Sequence, residues 1–175
     1  MTDIRDVTRG TLVRPGEGAP IRMGALPVDL LVPSAFSGGT YELHEQPVPP
    51  GVLVVPHTHA RQDQISVVTA GTLGVLVGDE EFIAPVGSCV LRPRGVVHAL
   101  WNASTEPARM IEVSSPGAEI EQFFRQFTNL TVAGGATSSA IAELARPYGI
   151  TYRLDLVPAL EERHGVSAGG GWWQE

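Results

Sequence analysis

Between Thr11 and Pro116 the chain alternates short apolar segments with turn-forming residues. "YELHEQPV", "GVLVVPH", "QISVVTAG", "LGVLVG", "EFIAPVG", "CVLRP", "VVHALWN" and "RMIEVSS" are each of strand length and rich in Val, Ile or Leu. Gly-Asp, Pro-Gly and Gly-Ser pairs separate them, and "GDEE" at Gly78 to Glu81 reads as a hairpin tip. Many short strands at close spacing predict a barrel or sandwich. After Pro116 the period changes. Ile120, Phe123, Phe124 and Phe127 fall at helical spacing, a stripe that must cover something apolar. "SSAIAELARPYG" predicts a second helix stopped by Pro147. "PALEERHG" predicts a third, with Pro158 suited to its first turn and Gly165 to its C-cap. The layout is all-β with a helical addition: residues 1–116 form a barrel with N-terminal strands, 117–165 a helical cover, and 166–175 a flexible tail in which Trp172 and Trp173 could dock on a neighbour.

Composition narrows the partners. The 175 residues suit one domain, and 43% hydrophobic with 18% charged residues is a globular balance. A formal charge of −7 with no run of Lys or Arg argues against nucleic acid or an anionic membrane as partner. One cysteine, Cys89, forms no internal disulfide, so a reducing, cytoplasmic setting is expected. The opening "MTDIRDVTRG" has no apolar signal core, and no stretch reaches the ~20 apolar residues of a membrane span.

The chemistry concentrates in two stretches. In "GVLVVPHTHARQDQISVVTAG", His57 and His59 stand two apart on an expected strand and so project to one face, a natural pair of metal ligands. The spacing is Gly51-x5-His57-x-His59-x4-Gln64-x6-Gly71, and further on "GSCVLRPRGVVHALWN" reads Gly87-x5-Pro93-x-Gly95-x2-His98-x3-Asn102. These patterns resemble the two signatures of the cupin superfamily. The second fits at every fixed position, and the first departs only at Gln64, where the family carries a glutamate.

The resemblance spans roughly Val48 to Val113 and implies a cupin double-stranded β-helix (jelly-roll) barrel. The single barrel followed by helices is similar to the quercetin 2,3-dioxygenase-like monocupins. It further implies a divalent metal ion (Ni, Fe, Co, Mn or Zn) held by His57, His59 and His98, with Gln64 in the fourth ligand position. Asp63 could replace Gln64 only if a local bulge reversed the alternation. In quercetinase-like enzymes the glutamate resembles both a ligand and a base for the substrate hydroxyl. Gln64 accepts no proton at neutral pH, and it leaves the full positive charge on the ion.

Other residues complete the expectations. His44, on the strand before the motif, would supply the missing base, or else be a structurally bonded histidine. His164 lies in a helix's last turn, where a cation complements the dipole, and has no catalytic role. Cys89 is expected to be a small buried hydrophobe, and Arg92 and Arg94 to be solvated turn residues flanking Pro93. Gly87, Pro93 and Gly95 set the register of His98, and Asn102 bonds nearby backbone. By alternation Leu53, Val55, Ser66, Val68 and Leu100 face inward, a largely apolar pocket for a small-molecule substrate, apolar and aromatic. Trp101 faces away. An open sheet edge suits a homodimer. Three functions compete. The first is a metal-dependent dioxygenase acting on a flavonol-like or enolic substrate, and the second is a non-redox Lewis-acid polyketide cyclase or isomerase. The third is a non-catalytic ligand-binding cupin.

Overall fold

A computed structural model describes residues 10–23, 26–117, 119–132 and 137–169. The strands are β1 (Ala19–Met23), β2 (Leu26–Val32), β3 (Glu42–Val48), β4 (Val52–His59), β5 (Asp63–Ala70), β6 (Thr72–Val77), β7 (Glu80–Pro85), β8 (Cys89–Arg92), β9 (His98–Trp101) and β10 (Ala108–Ser115). Helices α1 (Ile120–Val132) and α2 (Ser138–Ala145) follow, then β11 (Ile150–Tyr152), α3 (Val157–His164) and β12 (Ser167–Ala168). They build two facing sheets. One has the order β1-β2-β3-β10-β5-β8, the other β11-β4-β9-β6-β7 with β12 beside β4. The expected jelly-roll barrel with a C-terminal helical extension is therefore the fold. Among the described residues no helix is long and apolar enough to cross a membrane.

Local chemistry explains most boundaries. The β6–β7 hairpin turns at Gly78 (φ +63°), as the "GDEE" pattern predicts. The α3 helix stops at Gly165, left-handed at φ 64°, whose N–H bonds the Glu161 carbonyl. In α1 the stripe Ile120, Phe123, Phe124 and Phe127 is buried and packs on Ile21, Val28 and Leu30 of the first sheet. Thr137 caps α2 by accepting from the Ala140 N–H.

A second cluster fills the barrel floor with Val48, Val68, Leu73, Val75, Leu100 and Met110. A third lies outside the second sheet, where Leu53, Leu76, Ala99 and Trp101 meet Leu160 and Val166. Trp101 faces away from the barrel interior, as alternation requires, and stacks on His164 at 4.2 Å. His164 bonds Glu81 at 3.0 Å, so it fastens α3 to the sheet.

Four expectations need correction. The tail does not start as free chain: Val166 is buried, and Ser167 donates to the Gly51 carbonyl (2.7 Å) as β12 pairs parallel with β4. Trp172 and Trp173 lie outside the described residues. Cys89 is exposed, because it sits opposite Val67 on the outer face of the first sheet. Leu53 joins the outer cluster because the β4–β9 register shifts between Val54 and His57, reversing the alternation. Arg92 is buried at 2% exposure, since period two turns it inward with Gln64 and Ser66.

Gly74 faces Trp101 so closely that an added Cβ would stand 2.1 Å from the indole. Trp101 is fully buried and cannot yield. Gly74→Ala is therefore expected to destabilise by about 1–3 kcal/mol, read as a lower urea midpoint with an unchanged slope.

Candidate metal centre

The second sheet supplies the three histidines. His57 of β4 is directly opposite His98 of β9 in the strand register, and their ring centroids lie 4.5 Å apart. His59 follows on the same face, with centroids 5.0 Å from His57 and 5.5 Å from His98. One ring nitrogen from each of the three falls within 4.8 Å of the others. Gly95, at φ +75°, lets the loop before β9 turn back, and its N–H bonds the His59 carbonyl at 2.7 Å. That bond ties the two halves of the motif together. Asn102 is structural as expected: its amide donates to the carbonyls of Val48 (2.9 Å) and Glu106 (2.8 Å).

The tautomers of two rings follow from their partners. His57 Nδ1 lies 2.7 Å from the Val55 carbonyl, and His98 Nδ1 lies 3.1 Å from that of Val96. A carbonyl only accepts, so both Nδ1 atoms carry the proton and both Nε2 atoms keep a free lone pair. His98 Nε2 and His59 Nδ1 are buried with no hydrogen-bond partner. Buried orphan nitrogens are costly unless a ligand uses them.

Gln64 lines the same cavity as His57 and His59. Its Nε2 donates to Glu112 Oε1 (3.0 Å) and Ser114 Oγ (3.3 Å), while its Oε1 is buried and unpartnered. Three clustered imidazoles, with unpartnered nitrogens on His59 and His98 and an unpartnered oxygen on Gln64, fit a divalent cation. Asp63 is out of reach of this site. It faces solvent and binds Arg94 (2.6 Å between Nη2 and Oδ2), whose hydrogen bonds lower its pKa to about 2.

The first sheet supplies a polar wall that the sequence reading missed. Glu112 (β10) accepts from Arg92 (β8) at 2.5 Å, and Arg92 also donates to Ser66 Oγ at 2.6 Å. Burial alone would raise the Glu112 pKa, but the charge and hydrogen bond of Arg92 outweigh it and hold the carboxyl ionised. The signal was present in "RMIEVSS", where Met110, Glu112 and Ser114 share the inward phase. A charge in that phase of a barrel strand must find a buried partner. His44 lies on β3 opposite Glu112, fully buried, edge-on to Phe124 at 5.3 Å, with both ring nitrogens unpartnered. Burial lowers its pKa, and it stands outside the cavity lining.

Apart from Gln46, the remaining lining is mostly apolar: Met23, Leu26, Val54, Leu100 and the cap residues Phe123, Phe124 and Phe127, with Tyr152 of β11 beside His57. Burial raises the Tyr152 pKa, so it stays a neutral phenol. The cavity, partly open to solvent, measures about 50 Å³, room for a few waters.

Comparisons with known proteins agree with this fold. Residues 44–114 match the family model of the cupin domain. No curated protein sequence matches the chain. Among solved structures, a predicted oxalate decarboxylase from Thermotoga maritima is similar at a TM-score of 0.57 and 18% identity, over 61% of this chain and 99% of that one. KdgF from Halomonas sp. is similar at a TM-score of 0.54 and 18% identity, over 63% and 97%. A Cupin 2 conserved barrel domain protein from Salinispora arenicola follows at 0.52 and 22%, over 65% and 96%. At these identities the likeness establishes the fold. The barrel has the cupin fold, and the domain match supports its place in the cupin superfamily.

The metal-free protein should lose stability in acid. Burial lowers the His57 pKa from 6.5 to about 4, and burial with the neighbouring charges holds His59 and His98 well below 6.5. Between pH 6.5 and 4 the unfolded chain binds protons at these rings that the folded chain refuses, so stability falls as pH drops through that window. His57 alone accounts for no more than about 3 kcal/mol. Urea midpoints of chelator-treated protein at pH 7.5 and 4.5 measure the loss, and His57→Phe, which has no proton to take up, should shrink it.

Proposed function

We propose that the protein is a mononuclear metal-dependent enzyme that binds a small enolic or hydroxy-ketone substrate with an apolar body, and that it acts as a dioxygenase of the quercetinase-like kind. The observation that carries this reading is the convergence of three imidazoles, two with proton-bearing Nδ1 atoms tied to backbone carbonyls, with His57 and His59 on the wall of a largely apolar cavity. His57, His59, His98 and Gln64 would hold the ion, which supplies Lewis acidity and, if redox-active, a route to O2 chemistry. Phe123, Phe124, Leu100 and Val54 exclude water and suit O2 and an apolar substrate. At about 50 Å³ the cavity is small for a fused-ring flavonol. A compact enolic substrate suits it better. His44 would then act at one remove, since Glu112 and Phe124 stand at the wall beside it.

A second reading, non-redox isomerisation or cyclisation, is favoured by Gln64. A neutral amide leaves the ion its full charge to polarise a carbonyl and provides no basic ligand for enol deprotonation.

Elemental analysis of purified protein is expected to show one equivalent of divalent metal per chain, lost in His57→Ala and His98→Ala. Consumption of O2 with a panel of enolic ketones, one O2 per substrate, supports the dioxygenase. Substrate turnover without O2 uptake supports the isomerase instead. Absence of metal after loading with Fe2+, Ni2+, Co2+ or Zn2+ would sink both.

A further inference from the structure

The family pattern calls for a glutamate where this chain has Gln64, and the wall around Gln64 offers a physical reason. Gln64 Nε2 points at two acceptors, Glu112 Oε1 at 3.0 Å and Ser114 Oγ at 3.3 Å. Glu112 cannot turn away, because its other oxygen is bound by Arg92, which is itself tied to Ser66. All of these groups are buried. An ionised carboxylate only accepts, so the Gln64 prong facing it must be the N–H2, and the amide oxygen is left on the opposite prong. That oxygen has no hydrogen-bond partner. A glutamate at 64 would bring two acceptors together with no proton between them. Arg92 lies directly across the strand pair from Gln64, so one arginine serves both positions.

We propose that Glu112, anchored by Arg92, is the positioning residue that holds the Gln64 amide with its oxygen toward the three imidazoles, and that this carboxylate is why position 64 carries an amide. The barrel keeps one negative charge in its polar wall, one strand away from the ligand position rather than on it. The proposal rests on the metal-site reading for its purpose but not for its chemistry. The Gln64–Glu112 pairing is a property of the metal-free wall.

The two positions should therefore be interchangeable only together. The variants Gln64→Glu, Glu112→Gln and the double exchange would be compared with the unchanged protein, using Co2+ as the metal probe. In chelator-treated protein each single variant is expected to lower the thermal midpoint by roughly 5–10 °C. The exchange restores the carboxylate–amide bond with Arg92 still beside a carboxylate, so its midpoint should return to within about 3 °C of the parent. Glu112→Gln frees the Gln64 amide to flip, and Co2+ affinity should fall about 10–100-fold, with a changed visible spectrum. The exchange should bind Co2+ at least as tightly as the parent.

A double variant that loses the sum of the two single losses, or fails to fold, overturns the proposal. So does a Glu112→Gln protein that binds Co2+ with the parent's affinity and spectrum. A parent that binds no Co2+, with His57→Ala indistinguishable from it, removes the metal reading and with it the orienting role. The thermal midpoints would then decide separately whether the pairing fixes the residue at 64.

Discussion

The interior of this barrel depends on the buried ion pair between Arg92 and Glu112. Both side chains are almost wholly removed from water, so neither charge is tolerable without the other. Their mutual bond settles where the rest of the wall can sit. Ser66 takes the spare Arg92 donor, Ser114 backs Gln64, and Gln64 fills the space between β5 and β10. Removing either charge would strand its partner in the same enclosure that holds the histidines. The pair is thus a constraint on the site as much as on the fold, because it fixes which prong of Gln64 looks inward.

The two sheets divide the chemistry between them. The second sheet brings neutral imidazoles with depressed pKa values and free lone pairs. The first brings a paired charge that it does not share with solvent. Between them the cap contributes phenylalanines. Burial keeps the imidazoles deprotonated and therefore competent as ligands, while the apolar cap keeps water from competing for the same space. The cavity between them is small, about 50 Å³.

The fold and the three histidines were legible because each rests on a short-range rule. Period two in "VVPHTHA" places His57 and His59 together, the proline and glycine of "RPRGVVH" mark a turn, and the phenylalanine stripe has helical spacing. Arg92 was misread because it adjoins Pro93, and a turn neighbour suggests solvent, whereas its phase belongs to β8. Glu112 was passed over because a single acid in a strand looks ordinary until β3 and β5 close on either side of it. Cys89 and Leu91 look like core residues, yet they are exposed on an outer sheet face that is itself apolar, opposite Val67 and Ile65. Here the polar residues face in and the apolar ones out, the reverse of what hydrophobic content alone suggests. Only the pairing of distant strands decides it.

The shift in β4 reconciles two demands that an unbroken strand could not meet. Strict alternation from His57 would turn Val55 and Leu53 to the inner face, but Leu53 is needed outside, beneath Trp101 and Leu160. Between Val54 and His57 the register against β9 slips by one residue, so Val54 meets Leu100 while His57 meets His98. Pro56 sits within this irregular step, where a missing N–H breaks no ladder bond, and its carbonyl accepts from the Arg153 N–H at 2.8 Å. The step also frees the Val55 carbonyl to receive the His57 Nδ1 proton. One local irregularity therefore packs the barrel against α3 and sets the tautomer of the first histidine. Straightening it would cost the site its orientation before it cost the barrel its fold.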